Sequence, residues 1–135
     1  MNNFPLHHIG VAVNDLDTSI KEYKRDFGYE VLERETLETS GVELVFLKIP
    51  NTLIELIAPT RADSAIGKFL KKNGPGLHHL CYEVKDIVAE LARLKALGHT
   101  LIDEKPRPGA MHSKIAFLHP KMFSGVLVEL CQLAT

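Results

Sequence analysis

The 135-residue chain has no apolar run approaching the roughly 20 residues that a membrane-spanning helix needs, and no block of basic residues. The first absence argues against a membrane partner. The second, with a formal net charge of −1, argues against nucleic acid as the main partner. Cysteine is scarce: Cys81 and Cys131 lie inside apolar runs without CxxC spacing, and read as small buried hydrophobes of a reducing compartment. The N-terminal Met1-Asn2-Asn3-Phe4-Pro5 has no charged segment followed by an apolar one, so the cytoplasm is the expected compartment. What is present is an ordinary globular balance, 45% hydrophobic and 24% charged. The length suits one compact domain. Half of it, about 60 residues, would bury only a marginal core, so the halves are expected to share one.

The halves repeat. His7-His8-Ile9-Gly10-Val11-Ala12-Val13 leads through Asp15 to Leu53-Ile54-Glu55-Leu56-Ile57, and His78-His79-Leu80-Cys81-Tyr82-Glu83-Val84 leads through Asp86 to Leu127-Val128-Glu129-Leu130-Cys131. The His pairs are 71 residues apart, the Glu residues 74, and Phe46-Leu47 recurs as Phe117-Leu118 at 71. Strands are predicted at Leu6–Val13, Tyr29–Glu35, Val42–Ile49 and Thr52–Ala58, with a helix from Asp15 or Asp17 to Gly28. A short helix capped by Asp63 follows, broken by Asn73-Gly74-Pro75-Gly76. The second half predicts strands at His78–Val84, Thr100–Asp103, Lys114–His119 and Gly125–Gln132, with a helix from Asp86 closed by Gly98. This is βαβββ twice, an α+β fold. Module one covers about residues 5–58, the connecting helix about 59–75 and module two about 76–132 of a single domain over 1–135.

Strand alternation separates the paired histidines. His8, Gly10 and Ala12 share one face, small apart from the imidazole and suited to a cavity floor. His79, Cys81 and Glu83 share the equivalent face in the second copy, leaving His7 and His78 on the reverse. Glu55 and Glu129 sit inside apolar runs, where an unpaired carboxylate would cost several kcal/mol of desolvation. Period two alone would let either face solvent. A cation held by His8, Glu55, His79 and Glu129 resolves the burial of both carboxylates. Imidazole with carboxylate suits Co2+, Mn2+, Ni2+, Fe2+ or Zn2+, and four ligands leave a six-coordinate ion open to substrate.

With these motifs, the chain resembles the vicinal oxygen chelate superfamily (glyoxalase, bleomycin resistance protein and dioxygenase). The resemblance continues through Gly76-Leu77-His78-His79, Leu101-Ile102-Asp103-Glu104, Ala116-Phe117-Leu118-His119-Pro120-Lys121 and Gly125-Val126-Leu127-Val128-Glu129-Leu130, nearly the whole chain. It implies two tandem βαβββ modules forming a cupped mixed sheet around a central metal site. Carried over by position, the metal ligands fall on His8, Glu55, His79 and Glu129. Within the superfamily the chain is most similar to the epimerases of methylmalonyl-CoA. That implies an acyl-CoA thioester substrate, interconversion of its (2R) and (2S) forms by proton abstraction through a metal-stabilised enolate, and one divalent ion. Glu129 is implied as a ligand that also acts as catalytic base. Members of the family are often dimers, so a homodimer fits the resemblance.

The chain departs from that pattern in places. Some epimerases carry Gln where Glu55 stands. Some carry a second catalytic Glu on the third strand, where Leu44 falls here with Glu43 beside it. Because a one-residue shift turns a side chain to the other sheet face, Glu43 reads as a surface charge. The return of the proton then falls to Glu55, to water, or to a mechanism with one base. Gly109-Ala110-Met111-His112-Ser113 has lost a glycine usual in epimerases, and reads either as an acyl-CoA contact or as a variable loop. Lys121 reads either as a phosphate contact or as an exposed turn residue. The alternative enzyme is lactoylglutathione lyase (glyoxalase I), which tolerates one base, but Ile57-Ala58-Pro59 and His119-Pro120-Lys121 differ from its usual segments. A non-enzymatic small-molecule-binding protein would leave the four ligands unexplained, and a dioxygenase would leave Glu55 unexplained.

Overall fold

The computed structural model describes residues 2–135. It forms two compact units, His8–His78 and the N-terminal residues through His7 together with His79–Thr135. In chain order the elements are β1 (Leu6–Ala12), α1 (Leu16–Phe27), β2 (Glu30–Leu37), β3 (Val42–Ile49), β4 (Thr52–Pro59), α2 (Ala65–Asn73), β5 (Gly76–Glu83), α3 (Ile87–Ala96), β6 (Arg107–Pro108), β7 (Lys114–Leu118) and β8 (Val128–Gln132). The expected α+β class, with the strand–helix–strands order used twice, is what the structure shows. No helix among the described residues is long and apolar enough to cross a membrane.

The first unit orders its strands β2-β3-β4-β1, with β4 parallel to β1 and antiparallel to β3. Asp15 starts α1 by accepting a hydrogen bond from the Thr18 backbone N–H at 3.1 Å. Gly28 ends it in the left-handed region, φ 70°, donating its N–H to Lys24 O. The helix covers one sheet face: Leu16 packs with Val13, Val45, Leu47, Leu56 and Ala58, flanked by Val11, Ile20 and Tyr23. All odd-numbered β3 residues in this group lie on the helix side, which fixes which face the even-numbered ones take.

The cap of α2 differs from expectation. Ser64 caps this helix, its hydroxyl accepting from the Gly67 N–H at 3.0 Å and donating to Arg61 O at 2.8 Å. Asp63, one residue too early to reach that N–H, pairs instead with Arg61 at 3.0 Å. Gly67 is held by close approach, since a Cβ there would lie 2.5 Å from Ala62 O.

The second unit orders its strands β5-β8-β7-β6, with β8 parallel to β5 and antiparallel to β7. Asp86 caps α3 by accepting from Ala89 N–H at 3.1 Å. The helix packs Ile87, Leu91 and Leu94 onto Val84, Ala116, Leu118, Val128 and Leu130, and Phe4 joins them. The strand expected at Thr100–Asp103 is reduced to one bridge, Leu101 to Leu118. Both Ile102 N–H and Asp103 N–H donate to Phe117 O, while Phe117 N–H donates to the Asp103 carboxylate at 2.9 Å. A side chain has taken the place of the ladder's backbone acceptor, so pairing stops, and the edge strand forms later at Arg107–Pro108 against Ile115 and Lys114. The last strand begins at Val128 rather than Gly125, because Pro120–Phe123 forms a 3-10 turn and both Ser124 and Gly125 adopt positive φ.

Ile87 is fully buried at the start of α3. Ile87→Ala is expected to lower stability by about 2–5 kcal/mol, and Asp86→Ala by about 1 kcal/mol, as read by urea denaturation at constant m-value.

Candidate active site

In the first unit, β1 and β4 run in parallel with Gly10 opposite Glu55, and β3 brings Phe46 opposite Glu55 from the other side. The absent side chain at Gly10 leaves room beside the carboxylate. His8 lies two residues before Gly10 on the same face, its Nε2 3.7 Å from Glu55 Oε1. That separation is an ion-pair distance and longer than a hydrogen bond. Phe46 meets the His8 imidazole edge-on, with centroids 5.2 Å apart, and fixes the plane of the ring.

The second unit repeats the arrangement. Cys81 and Phe117 lie opposite Glu129 on the two neighbouring strands, in the places of Gly10 and Phe46. His79 Nε2 is 3.1 Å from Glu129 Oε1, and the ring meets Phe117 edge-on at 5.6 Å. His8, Glu55, His79 and Glu129 are 4–6% exposed. The structure thus pairs His8 with Glu55 and His79 with Glu129, so each histidine that alternation singles out stands beside a buried carboxylate. A buried carboxylate beside one imidazole is the donor chemistry of a divalent-metal ligand set, with the carboxylate ionised and the ring neutral. These residues fit an ion of that class.

Glu43 and Leu44 take opposite faces of β3. Leu44 is 2% exposed and lies two residues from Phe46, on Glu55's side. Glu43 is paired in register with Ala58 on the helix side, where its carboxylate accepts from Arg34 at 3.4 Å. Arg34 also binds Asp17 of α1. Glu43 is therefore the surface charge that the sequence suggests, and β3 supplies no carboxylate to Glu55's face.

Two loops resolve less simply. Met111 and His112 adopt φ of 54° and 58°, and Gly109 is held tightly, since a Cβ there would meet Ile115 Cγ2 at 2.5 Å. This is a specific conformation, with Ser113 buried and His112 exposed. His119 accepts the Lys121 N–H on its Nδ1 at 3.2 Å and so caps the Pro120–Phe123 turn, leaving Lys121 exposed.

Sequence reasoning missed one group. The His7 imidazole hydrogen-bonds Cys131, which holds its pKa above the ordinary value. One ligand atom each from His7, Cys81 and Cys131 lies within 4.8 Å of the others. Hydrogen bonds from Cys81 and His7 hold the Cys131 thiol below the usual thiol range, while burial pushes the Cys81 thiol up. A signal was available in the repeat: Cys81 stands where the first copy has Gly10, and Cys131 where it has Ile57.

Residues 7–117 match the Glyoxalase/Bleomycin resistance protein/Dioxygenase superfamily. The chain is 43% identical over 129 residues to the ethylmalonyl-CoA/methylmalonyl-CoA epimerase of Cereibacter sphaeroides, covering 94% of this chain and 96% of that protein. It is 41% identical to the mitochondrial methylmalonyl-CoA epimerase of Homo sapiens, covering 94% and 73% respectively. Among solved structures it is similar to a methylmalonyl-CoA epimerase in complex with methylmalonyl-CoA and NH4+, with TM-score 0.93, 40% identity, and coverage of 98% of this chain and 96% of that one.

The buried pairs carry a stability signature. In metal-free protein, His79→Ala removes the imidazole from beside the buried Glu129 carboxylate and is expected to cost about 1–3 kcal/mol, whereas Glu43→Ala stays within about 0.5 kcal/mol. Paired urea titrations in the presence of a chelator measure both.

Proposed function

The chain belongs to the Glyoxalase/Bleomycin resistance protein/Dioxygenase superfamily and is an isomerase of the epimerase type, and on that premise we propose that it interconverts (2R)- and (2S)-methylmalonyl-CoA. The observation that carries the reading is the buried His–Glu pair repeated once in each half, in a chain so similar to methylmalonyl-CoA epimerases. In this reading the two modules act as one domain, and His8, Glu55, His79 and Glu129 together hold one divalent ion, Co2+, Mn2+, Ni2+ or Zn2+. When bound, the ion supplies Lewis acidity that draws electron density from the thioester and carboxylate oxygens of the substrate.

The chain's own residues do the rest. The substrate's C2–H lies between a thioester and a carboxylate, and Glu129 removes that proton onto a carboxylate oxygen. Phe117, edge-on to His79 and opposite Glu129 in register, keeps both groups from rotating away. Burial excludes bulk water from the carboxylate and raises the weight of every charge near it. Leu44 can neither give nor take a proton, and Glu43 is tied to Arg34 on the helix side. Delivery of a proton to the opposite face of C2 therefore belongs to Glu55 or to water, unless Glu129 serves both faces.

The alternative reading, a lactoylglutathione lyase, rests on the same four residues and on the need for one base only. Two assays separate them. Protein reconstituted with each of the four ions is expected to exchange the C2 proton of methylmalonyl-CoA for deuterium in D2O, followed by NMR; no exchange with any ion overturns the epimerase reading. Turnover of methylglyoxal with glutathione would support the lyase in its place. Glu129→Gln is expected to lower kcat by about a hundred- to ten-thousand-fold. Glu43→Ala should leave kcat/KM nearly unchanged, and Glu129→Gln with full activity would remove Glu129 from the base role.

A further inference from the structure

We propose that His7, Cys81 and Cys131 form a second, sulfur-rich metal site that takes a thiophilic divalent ion such as Zn2+ or Cd2+. It shares no residue with the His–Glu set and is independent of the epimerase reading. Three observations support it. One ligand atom from each of the three residues lies within 4.8 Å of the other two. Around a tetrahedral zinc ion with Zn–S near 2.3 Å the ligand atoms stand about 3.5–3.8 Å apart, so closing on an ion asks each side chain to move by a fraction of an ångström to about 1 Å. A ring nitrogen of the imidazole already lies within 4.8 Å of both sulfurs.

The second observation is placement. Cys81 and Cys131 follow His79 and Glu129 by two residues on parallel, adjacent strands, so both thiols share the face of that pair. Cys131 stands roughly 6.6 Å beyond Glu129 along β8, while Cys81 faces Glu129 in register and has its ligand atom within 4.8 Å of one of that carboxylate, so the sulfur site borders the His–Glu pair of this unit. They do not lie in the core under α3. With Ile115 they form a small cluster of their own, bordered by Phe117 and Leu133. The third observation is that the repeat does not carry these groups: the equivalent positions in the first half are Gly10 and Ile57. Sulfur chemistry is thus added on one half only.

The donor set decides the ion. Two thiolates and one neutral imidazole carry two negative charges, which a divalent ion neutralises, lessening the desolvation cost at a site where both sulfurs are 0–2% exposed. Soft sulfur ligands select Zn2+ or Cd2+ over Mg2+ or Mn2+. Binding replaces two S–H bonds by two sulfur–metal bonds and releases two protons, with no change of oxidation state. Three protein ligands leave a fourth position for water.

Titration of the reduced, metal-free protein with Cd2+ is expected to produce a thiolate-to-metal charge-transfer band in the ultraviolet, saturating at one ion per chain. The band should disappear in Cys131→Ala, weaken in His7→Gln, and persist in Glu55→Gln, which removes a carboxylate of the His–Glu set. X-ray absorption at the zinc edge of wild-type protein loaded in the presence of excess Mn2+ should count two sulfur neighbours, a measurement that needs no core variant to fold. Absence of the band, its survival in Cys131→Ala, or a zinc shell without sulfur overturns the proposal.

Discussion

A carboxylate in the middle of a sheet loses several kcal/mol of hydration unless something charged or polar compensates it, and this chain buries two, Glu55 and Glu129. Much of the local architecture follows from accommodating them. Each is flanked in register by one aromatic residue, Phe46 or Phe117, and by one small residue, Gly10 or Cys81. Each has an imidazole from the parallel neighbouring strand within ion-pair reach. The opposite faces of the same strands carry the hydrophobic core: Leu16 of α1 and Ile87 of α3 anchor clusters whose buried strand residues are all aliphatic or alanine. Separating a polar from an apolar face by period two lets a sheet this small carry both a hydrophobic core and a reactive centre.

The duplicated parts and the unduplicated parts have different functions. Helix caps at Asp15 and Asp86, the His–Glu pairs and the edge-on phenylalanines occur once per half and specify the scaffold and the class of chemistry. The departures from the repeat give the protein its individuality. Leu44 leaves Glu55's face of β3 without a second carboxylate, the Gly109–Ser113 loop holds two residues in the left-handed region, and the thiols of Cys81 and Cys131 replace a glycine and an isoleucine. Leu44, Cys81 and Cys131 are buried, so they pack the sheet as well as changing the chemistry of the face they lie on.

Read from sequence, the strand at Val42–Ile49 emerged with its observed limits and the first helix with its cap narrowed to Asp15 or Asp17, of which Asp15 is the cap, because alternation and capping are local and leave strong patterns. Local reasoning failed where a competing partner intervened. Ser64 displaced Asp63 as the cap of α2 because its hydroxyl reaches Gly67 N–H and Arg61 O together. The Asp103 carboxylate displaced a backbone carbonyl opposite Phe117 and ended a strand that the pattern predicted. Both outcomes turn on one side-chain oxygen finding a better donor, which no periodicity records.

The sequence by itself determined the repeat and the α+β class and singled out His8, Glu55, His79 and Glu129, because period two separates the paired histidines and a buried carboxylate is costly. Only the tertiary structure decided the partners of Glu43 and His7. Glu43 is committed to Arg34, a residue nine positions earlier brought beside it by antiparallel pairing of β2 and β3. His7, set aside by alternation, is joined to Cys131 from the far end of the chain. Contacts between residues distant in sequence leave no local pattern, so the partners of a polar side chain are known only when the chain has folded.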